Sequence, residues 1–286
     1  MNKLIKGVIT MKKIGVLICF LAVGSIAAIN RSFVILTASY NNEQWYQKQL
    51  DSVRTQTYDN WRMIYINDCS SDATGQLVQD YIKHHQLEHK ITFINNEQRM
   101  GHLHNQYHAI HSCKPWEIIL VVDGDDWIKD DLVFSYLNEV YQDPDVWLTY
   151  GQFWYVKKDR IGICKPLPTD ILTNGLIRTY PRWVTSHMRT FYAGLYQQIA
   201  FEDLQYKGTW FPMGADVSTM FPMIEMARER IRFISKIIYE YNDGNVLNFY
   251  HDRRAEQEEI EKEIRSRKPY ERLEGASFSS YELEAQ

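Results

Sequence analysis

Trp116-Glu-Ile-Ile-Leu-Val-Val-Asp-Gly-Asp-Asp-Trp127 carries an unbroken apolar run, Ile118 to Val122, that stops at three acids, Asp123, Asp125 and Asp126. Such a run suits a strand buried on both faces, as in a parallel sheet. Acids at the carboxyl end of that strand stand where open α/β sheets bind ligands. Gly124 lets the backbone turn there and lets a ligand approach closely. Three carboxylates this close repel one another unless a cation sits among them. Hard oxygen ligands suit Mg2+ or Mn2+, completed by phosphate oxygens. The stretch therefore implies a strand-end site for Mg2+ or Mn2+ and a nucleoside diphosphate. The plainer alternative is a solvated acidic turn capping the next helix, since Asp130 and Asp131 follow.

The same alternation repeats outward from this strand. Residues 32–40 predict a buried strand ending at Ser39-Tyr-Asn-Asn42, with Asn42 placed to cap a helix over 43–57. Residues 61–66 predict a second strand, closed by Asn67-Asp-Cys-Ser-Ser-Asp72, with Asp72 as cap for a helix over 73–85. A short strand over 91–94 and a helix over 102–111 precede the acidic strand; a helix over 130–142 and an aromatic strand over 146–156 follow it. Strands alternating with helices predict an α/β fold with a Rossmann-like, doubly wound, mostly parallel sheet and right-handed crossovers. The pattern then loosens. Pro166, Pro168, Asn174-Gly175 and Pro181 mark residues 165–182 as a loop. Residues 187–201 and 217–230 read as helices, 232–241 as a late strand, and Asn242-Asp-Gly-Asn245 as a turn. Mixed Arg, Glu and Lys over 252–267 predict a solvated helix, and residues 275–286 a polar, frayed end.

With 286 residues, 45% hydrophobic and 24% charged, the chain has room for one large domain or two small ones. A net charge of −4 and no basic block argue against binding nucleic acid. Cys19, Cys69, Cys113 and Cys164 are widely spaced with no CxxC pair, which suggests neither a zinc site nor a disulfide framework. Lys12 and Lys13 precede an apolar stretch over 14–29 that closes on Ser25, Ala27 and Ala28. That is the layout of a signal peptide. It is shorter than the ~20 residues of a spanning helix, but a signal anchor fits as well. Residues 1–31 are therefore set apart from the fold, as a membrane anchor or an export signal.

Four pieces in order give the chain a resemblance to the family 2 glycosyltransferases, whose fold is GT-A. They are Thr37-Ala-Ser-Tyr-Asn41; Asn67-Asp-Cys-Ser-Ser-Asp72 with Gln56-Thr-Tyr58 and Trp61 upstream; Asn95-Asn-Glu-Gln-Arg-Met-Gly101 followed by Asn105; and Asp123-Gly-Asp125-Asp126. The resemblance covers residues 32–156, the nucleotide-sugar half of a domain over 32–250. It matches less well over 157–250, the half that chooses the acceptor. A charged helical tail fills 251–286.

The resemblance implies roles. Thr37, Ser39, Tyr40 and Asn41 with Asp68 would hold the nucleotide; a carboxylate suits the imide N–H of uracil or the donors of guanine. Arg99, Asn105 and Gly124 join the donor site. Asp123 would meet ribose or sugar, and Asp125 would ligate Mn2+ or Mg2+. Asp123 is a second ligand candidate and His251 a late one. The family's base, an acid before a helix, maps to Asp216 in Phe211-Pro-Met-Gly-Ala-Asp216, although Ala215 stands where the family usually has another acid. Asp216 also suits a helix cap. His187 lies in an aromatic segment, 183–191, that would line the acceptor site. His102, His104, His108 and His111 read as a helix surface. The implied reaction is an inverting, metal-dependent transfer from a UDP-sugar, or else a GDP-sugar, to a glycan, lipid or protein acceptor. A nucleotidyltransferase is the enzyme alternative, though no Gly- and Lys/Arg-rich loop follows the first strand. An inactive sugar- or nucleotide-binding protein is the other. Because nucleotide sugars are mainly cytosolic, or lumenal in eukaryotes, an anchor accords better with the donor than export does.

Overall fold

The computed structural model describes residues 28–245, 254–275 and 278. Its framework follows the apolar runs. β1 (Phe33–Ser39), α1 (Tyr46–Arg54), β2 (Trp61–Asn67), α2 (Thr74–His84), β3 (Ile91–Asn95), α3 (His102–His111) and β4 (Ile118–Val121) alternate as the pattern predicts. Every residue of β4 is buried. Burying each of its Ile, Leu and Val side chains contributes about 1.5–3 kcal/mol, so this strand anchors the sheet. β5 (Trp127–Ile128), α4 (Val133–Val140), β6 (Leu148–Tyr155) and β7 (Arg160–Ile161) follow. Then come α5 (Thr169–Asn174), β8 (Arg189–Tyr192), α6 (Ala193–Tyr196), β9 (Gln205–Tyr206), β10 (Thr209–Trp210), α7 (Ala215–Ala227), β11 (Ile231–Tyr241) and α8 (Arg254–Ser266).

Among the described residues the main sheet has the order β3-β2-β1-β4-β8-β6-β11-β5, with β7 on β6. β1 pairs in parallel with β2 and β4, Phe33 lying opposite Trp61 and Ile118. That register brings the loops after β1, β2 and β4 to one carboxyl edge. β8 runs antiparallel between β4 and β6, with Arg189 opposite Val121, so the start of β8 reaches the same edge. β11 pairs in parallel with β6 and antiparallel with β5, Tyr239 opposite Ile128. Its end thus crosses beside the acidic turn.

Several expectations are corrected. Residues 187–201 form β8 and the single turn α6 rather than one helix. All of Arg189–Tyr192 is buried between two strands, and this tertiary pairing overrides helical spacing. The proline-rich excursion holds α5 and a 3-10 turn, Ile177–Thr179. The charged tail is helical, yet Ile260 and Ile264 are buried and Phe278 packs on Trp147 and Tyr192. Arg178 and Glu225 form a buried ion pair at 2.7 Å, and an Arg178 N–H donates to the Ile264 carbonyl. The tail therefore braces the acceptor half. Asn42 caps α1 through its carbonyl, not its side chain. The cap of α2 is Ala73 rather than Asp72, although Asp72, one residue before it, accepts the Thr74 N–H at 3.0 Å. Cys69, Cys113 and Cys164 are free thiols. The N-terminal apolar stretch through residue 27 and His251 lie outside the described residues. No described helix is long and apolar enough to cross a membrane.

Candidate active site

Asp68 follows β2 and is buried to 5% exposure of its side chain, beside an Arg99 side chain that is 45% exposed. Its carboxylate accepts from Asn96 Nδ2 at 2.9 Å, Arg99 Nε at 3.1 Å, and the backbone N–H of Met100 and Gly101 at 2.9 Å each. Burial pushes its pKa up, but the amides of Asn105 and Asn96 and the two backbone donors outweigh it and hold the carboxyl below its ordinary value. Asp68 therefore folds the 96–101 loop over the strand end. The Arg99 guanidinium lies 3.3 Å from the Tyr40 ring centroid. Tyr40, Arg99 and Asp68 form one wall at this edge.

The other residues implied for the nucleotide support this wall from beneath. Thr37 is fully buried and donates to the Val122 carbonyl at 2.8 Å. Ser39 is buried and abuts Gly124, where an added Cβ would lie 2.9 Å from Ser39 Cβ and 2.6 Å from Asn42 Nδ2. Glycine is thus required at 124 by close packing. Asn41, at φ 50°, accepts the Ser71 N–H at 2.9 Å and ties the two loops together. Asn105 is buried and accepts from Asn96 Nδ2. The side chains of Thr37, Ser39 and Asn105 are all buried.

The acidic turn is built as sequence implied, with unforeseen partners. Asp126 is buried and accepts from Tyr239 Oη at 2.8 Å and from the Asn242 N–H at 2.7 Å. It does not cap α4; it fastens β11 to the turn. Tyr239 Oη also accepts the Asp123 N–H at 3.1 Å. Asn245 Nδ2 donates to Asp125 at 2.8 Å. Burial, then the charge of Asp123, raises the Asp125 pKa to about 6 against the hydrogen bond from Asn245. Burial and both neighbouring acids push Asp126 well above the ordinary range. Burial also acts to raise Asp123, but His102 and Arg189 beside it help to keep its carboxyl low.

His187 stacks on Tyr239 with centroids 4.9 Å apart and planes 5° apart. Burial lowers its pKa to about 3, with Arg189 adding to the effect, so the ring is neutral. Its Nδ1 has no hydrogen-bond partner. Ligand atoms of Asp123, Asp126 and His187 lie within 4.8 Å of one another. Crowded carboxylates and a buried lone pair fit a divalent cation. His187 enters this set from the segment expected to line the acceptor site.

Asp216 is the second residue of α7, inside its first turn rather than at its cap. One carboxylate oxygen accepts the Val217 N–H at 3.0 Å, and the other lies 3.6 Å from Arg189 Nη1. Gly214, at φ +72°, starts this helix in a left-handed conformation that favours glycine. It packs on Ile264 and Ile260 of α8, at 3.4 and 3.5 Å from where a Cβ would stand. His104 and His108 turn to Trp210 on the helix surface, away from this cluster of acids.

Sequence reading missed Tyr239, Asn242, Asn245 and Arg189. The Asn-Asp-Gly-Asn turn carried a loop signal only, and Tyr239 sat in an ordinary strand pattern. Tyr239→Phe removes an acceptor from the Asp123 N–H and a donor from Asp126. Leaving such buried groups unpaired costs about 1–3 kcal/mol. The expected result is a melting midpoint lower by several degrees and weaker Mn2+ binding by calorimetry; an unchanged midpoint and affinity count against this role.

The model of glycosyl transferase family 2 matches residues 34–204, more than half the chain. This protein belongs to that family. Glycosyltransferase GlyA of Streptococcus pneumoniae serotype 4 is 28% identical over 114 residues, 40% of this chain and 16% of GlyA. The Staphylococcus aureus TarS 1–349 structure with UDP-GlcNAc superposes with a TM-score of 0.57 at 17% identity, covering 74% of this chain and 58% of that one. A mannosyltransferase of Pyrobaculum calidifontis with GDP-Man and Mn2+ gives 0.55 at 18%, covering 83% and 65%. The chain spans 16% of GlyA, 58% of that TarS chain and 65% of the mannosyltransferase. The structural likeness shows its fold, GT-A.

Proposed function

We propose that this glycosyltransferase moves a sugar from a nucleotide-diphosphate donor, UDP-linked rather than GDP-linked, to an acceptor hydroxyl with inversion and with a divalent metal. One observation carries the reading. Along one sheet edge stand, in order, the Tyr40–Arg99–Asp68 wall after β2 and β1, the acids after β4, and Arg189 with Asp216 beside β8. That order gives places for the base, the diphosphate and the reacting hydroxyl. TarS in complex with UDP-GlcNAc and the mannosyltransferase with GDP-Man and Mn2+ share the fold and support both donor classes.

Asp216 takes the proton of the acceptor hydroxyl as its oxygen bonds to the anomeric carbon. The bond from that carbon to the diphosphate breaks, and the nucleoside diphosphate leaves with the electron pair. Asp123, Asp126 and His187 would hold Mn2+ or Mg2+, with Asp125 beside them. A bound cation there supplies charge neutralisation for the leaving diphosphate. The acceptor is a hydroxyl of a glycan, lipid or protein.

Thermal unfolding of the protein with UDP or GDP, with and without Mn2+, tests the reading. A ligand at a hundredfold its dissociation constant stabilises by about 2.7 kcal/mol. The expected result is stabilisation by UDP that requires Mn2+; stabilisation by GDP instead would make the donor GDP-linked. No stabilisation by either would instead favour a binding protein that takes some other ligand.

A further inference from the structure

We propose that Arg189 is a positioning residue for the transfer: its buried guanidinium holds the Asp216 carboxylate in place and screens it from the acidic turn. The inference rests on the reading of Asp216 as the base.

Three observations carry it. First, β8 pairs antiparallel with β4 so that Arg189 stands opposite Val121, two residues before Asp123. The side chain therefore starts at the edge where the acids gather. Second, Arg189 stands beside the acidic turn as an electrostatic neighbour of Asp123, while its Nη1 lies 3.6 Å from Asp216 Oδ2. One cation thus faces the donor acids and the base together. Third, the pair is unequal in burial: the Arg189 side chain is 8% exposed and that of Asp216 27%. The cation is the fixed, dry partner and the carboxylate the wet one, open to an incoming hydroxyl.

The chemistry needs such a group. Asp216 must be a carboxylate when the acceptor arrives, although three acids lie along the same edge and the donor brings two more negative phosphates. Uncompensated, these charges would repel the Asp216 carboxylate and turn it away. A guanidinium is always charged, and its planar fork can serve two carboxylates at once, which a lysine ammonium does less well. The second oxygen of Asp216 is engaged by the Val217 N–H, so α7 and β8 together fix the carboxylate plane.

The test uses Arg189→Met and Arg189→Lys, each alone and with Asp216→Asn. Release of nucleoside diphosphate from UDP-GlcNAc and GDP-mannose with Mn2+ is measured, water standing in for the acceptor hydroxyl, together with stabilisation by UDP and GDP. The expected result is release slowed by about a hundredfold in Arg189→Met, partly restored in Arg189→Lys, with nucleotide stabilisation retained. Adding Arg189→Met to Asp216→Asn then slows release little further, because the two side chains act as a unit. Full multiplication of the two effects overturns the proposal, as does wild-type release in Arg189→Met. Wild-type release in Asp216→Asn overturns the base assignment itself and leaves Arg189 nothing to position. A crystal structure of Arg189→Met gives a readout that needs no turnover: Asp216 is expected to leave its present rotamer, and an unmoved carboxylate overturns the proposal.

Discussion

Asp216→Asn is expected to slow sugar transfer by about 10²–10⁴, the usual contribution of a positioned general base. The amide keeps the size of the carboxylate and accepts the Val217 N–H as before, so the first turn of α7 is preserved. What it loses is the ability to take a proton. It also loses its ion pair with Arg189, but that side of Asp216 is partly wet and the pair lies at 3.6 Å. The effect on folding is therefore small beside the effect on turnover. Nucleotide binding is expected to persist, since the Tyr40–Arg99–Asp68 wall and the acids after β4 belong to other strands. Parallel measurement of turnover and of UDP- or GDP-induced stabilisation separates the two. Loss of both would mean that Asp216 serves the fold or the donor. Retention of both would send the search for a base elsewhere.

The amino half of the chain was legible because its signals are local. Apolar runs ending in polar clusters mark strands whose carboxyl ends bind ligands, and β1, β2, β3 and β4 lie where those runs lie. Asp68 and the acids 123–126 could be named from that rule and from the resemblance alone. What the rule does not say is which side chains face the ligand. Thr37 and Ser39, two apart and so on one face of β1, are both buried, which only the packing of the folded sheet shows. The acceptor half was less legible for a different reason. Residues 189–192 carry Thr, Phe and Tyr, which favour strand, but the run is only four residues long and extends between β4 and β6. Arg189 and His187 reach the site only through that pairing. Tyr239, Asn242 and Asn245 lie more than a hundred residues from the acids they bind, and no periodicity reports a contact of that range. The tail misled by composition: its charges suit a solvated face, while Ile260 and Ile264, one turn apart, supply the buried stripe.

Divalent metal is expected to bind the acidic turn progressively more weakly as pH falls, and Asp125 adds to that loss below about 6. Its raised pKa has a clear sign. In the unfolded chain the group titrates near its ordinary 3.8, in the folded chain near about 6. Between these values the folded state binds more protons, so stability falls as pH rises through the window. Relative to Asp125→Asn, the metal-free protein is thus expected to match below pH ~4 and to be destabilised above pH ~6, by on the order of 3 kcal/mol. His187 acts in the opposite sense: its folded pKa is lowered to about 3, so its neutral ring favours folding as pH rises towards its ordinary 6.5. Because the two windows overlap, the informative quantity is the difference between wild type and Asp125→Asn across pH, where His187 cancels. Mn2+ reverses the destabilisation by compensating the charges that crowd there, and must displace the Asp125 proton to do so. Its affinity should then drop by up to tenfold per pH unit below about 6 in the wild type. In Asp125→Asn that part of the pH dependence disappears and the affinity itself falls. Calorimetric titration of Mn2+ from pH 5 to 8 with both proteins decides the matter. An identical slope in the two would place the titrating group elsewhere in the cluster, at Asp126, whose carboxyl burial holds still higher.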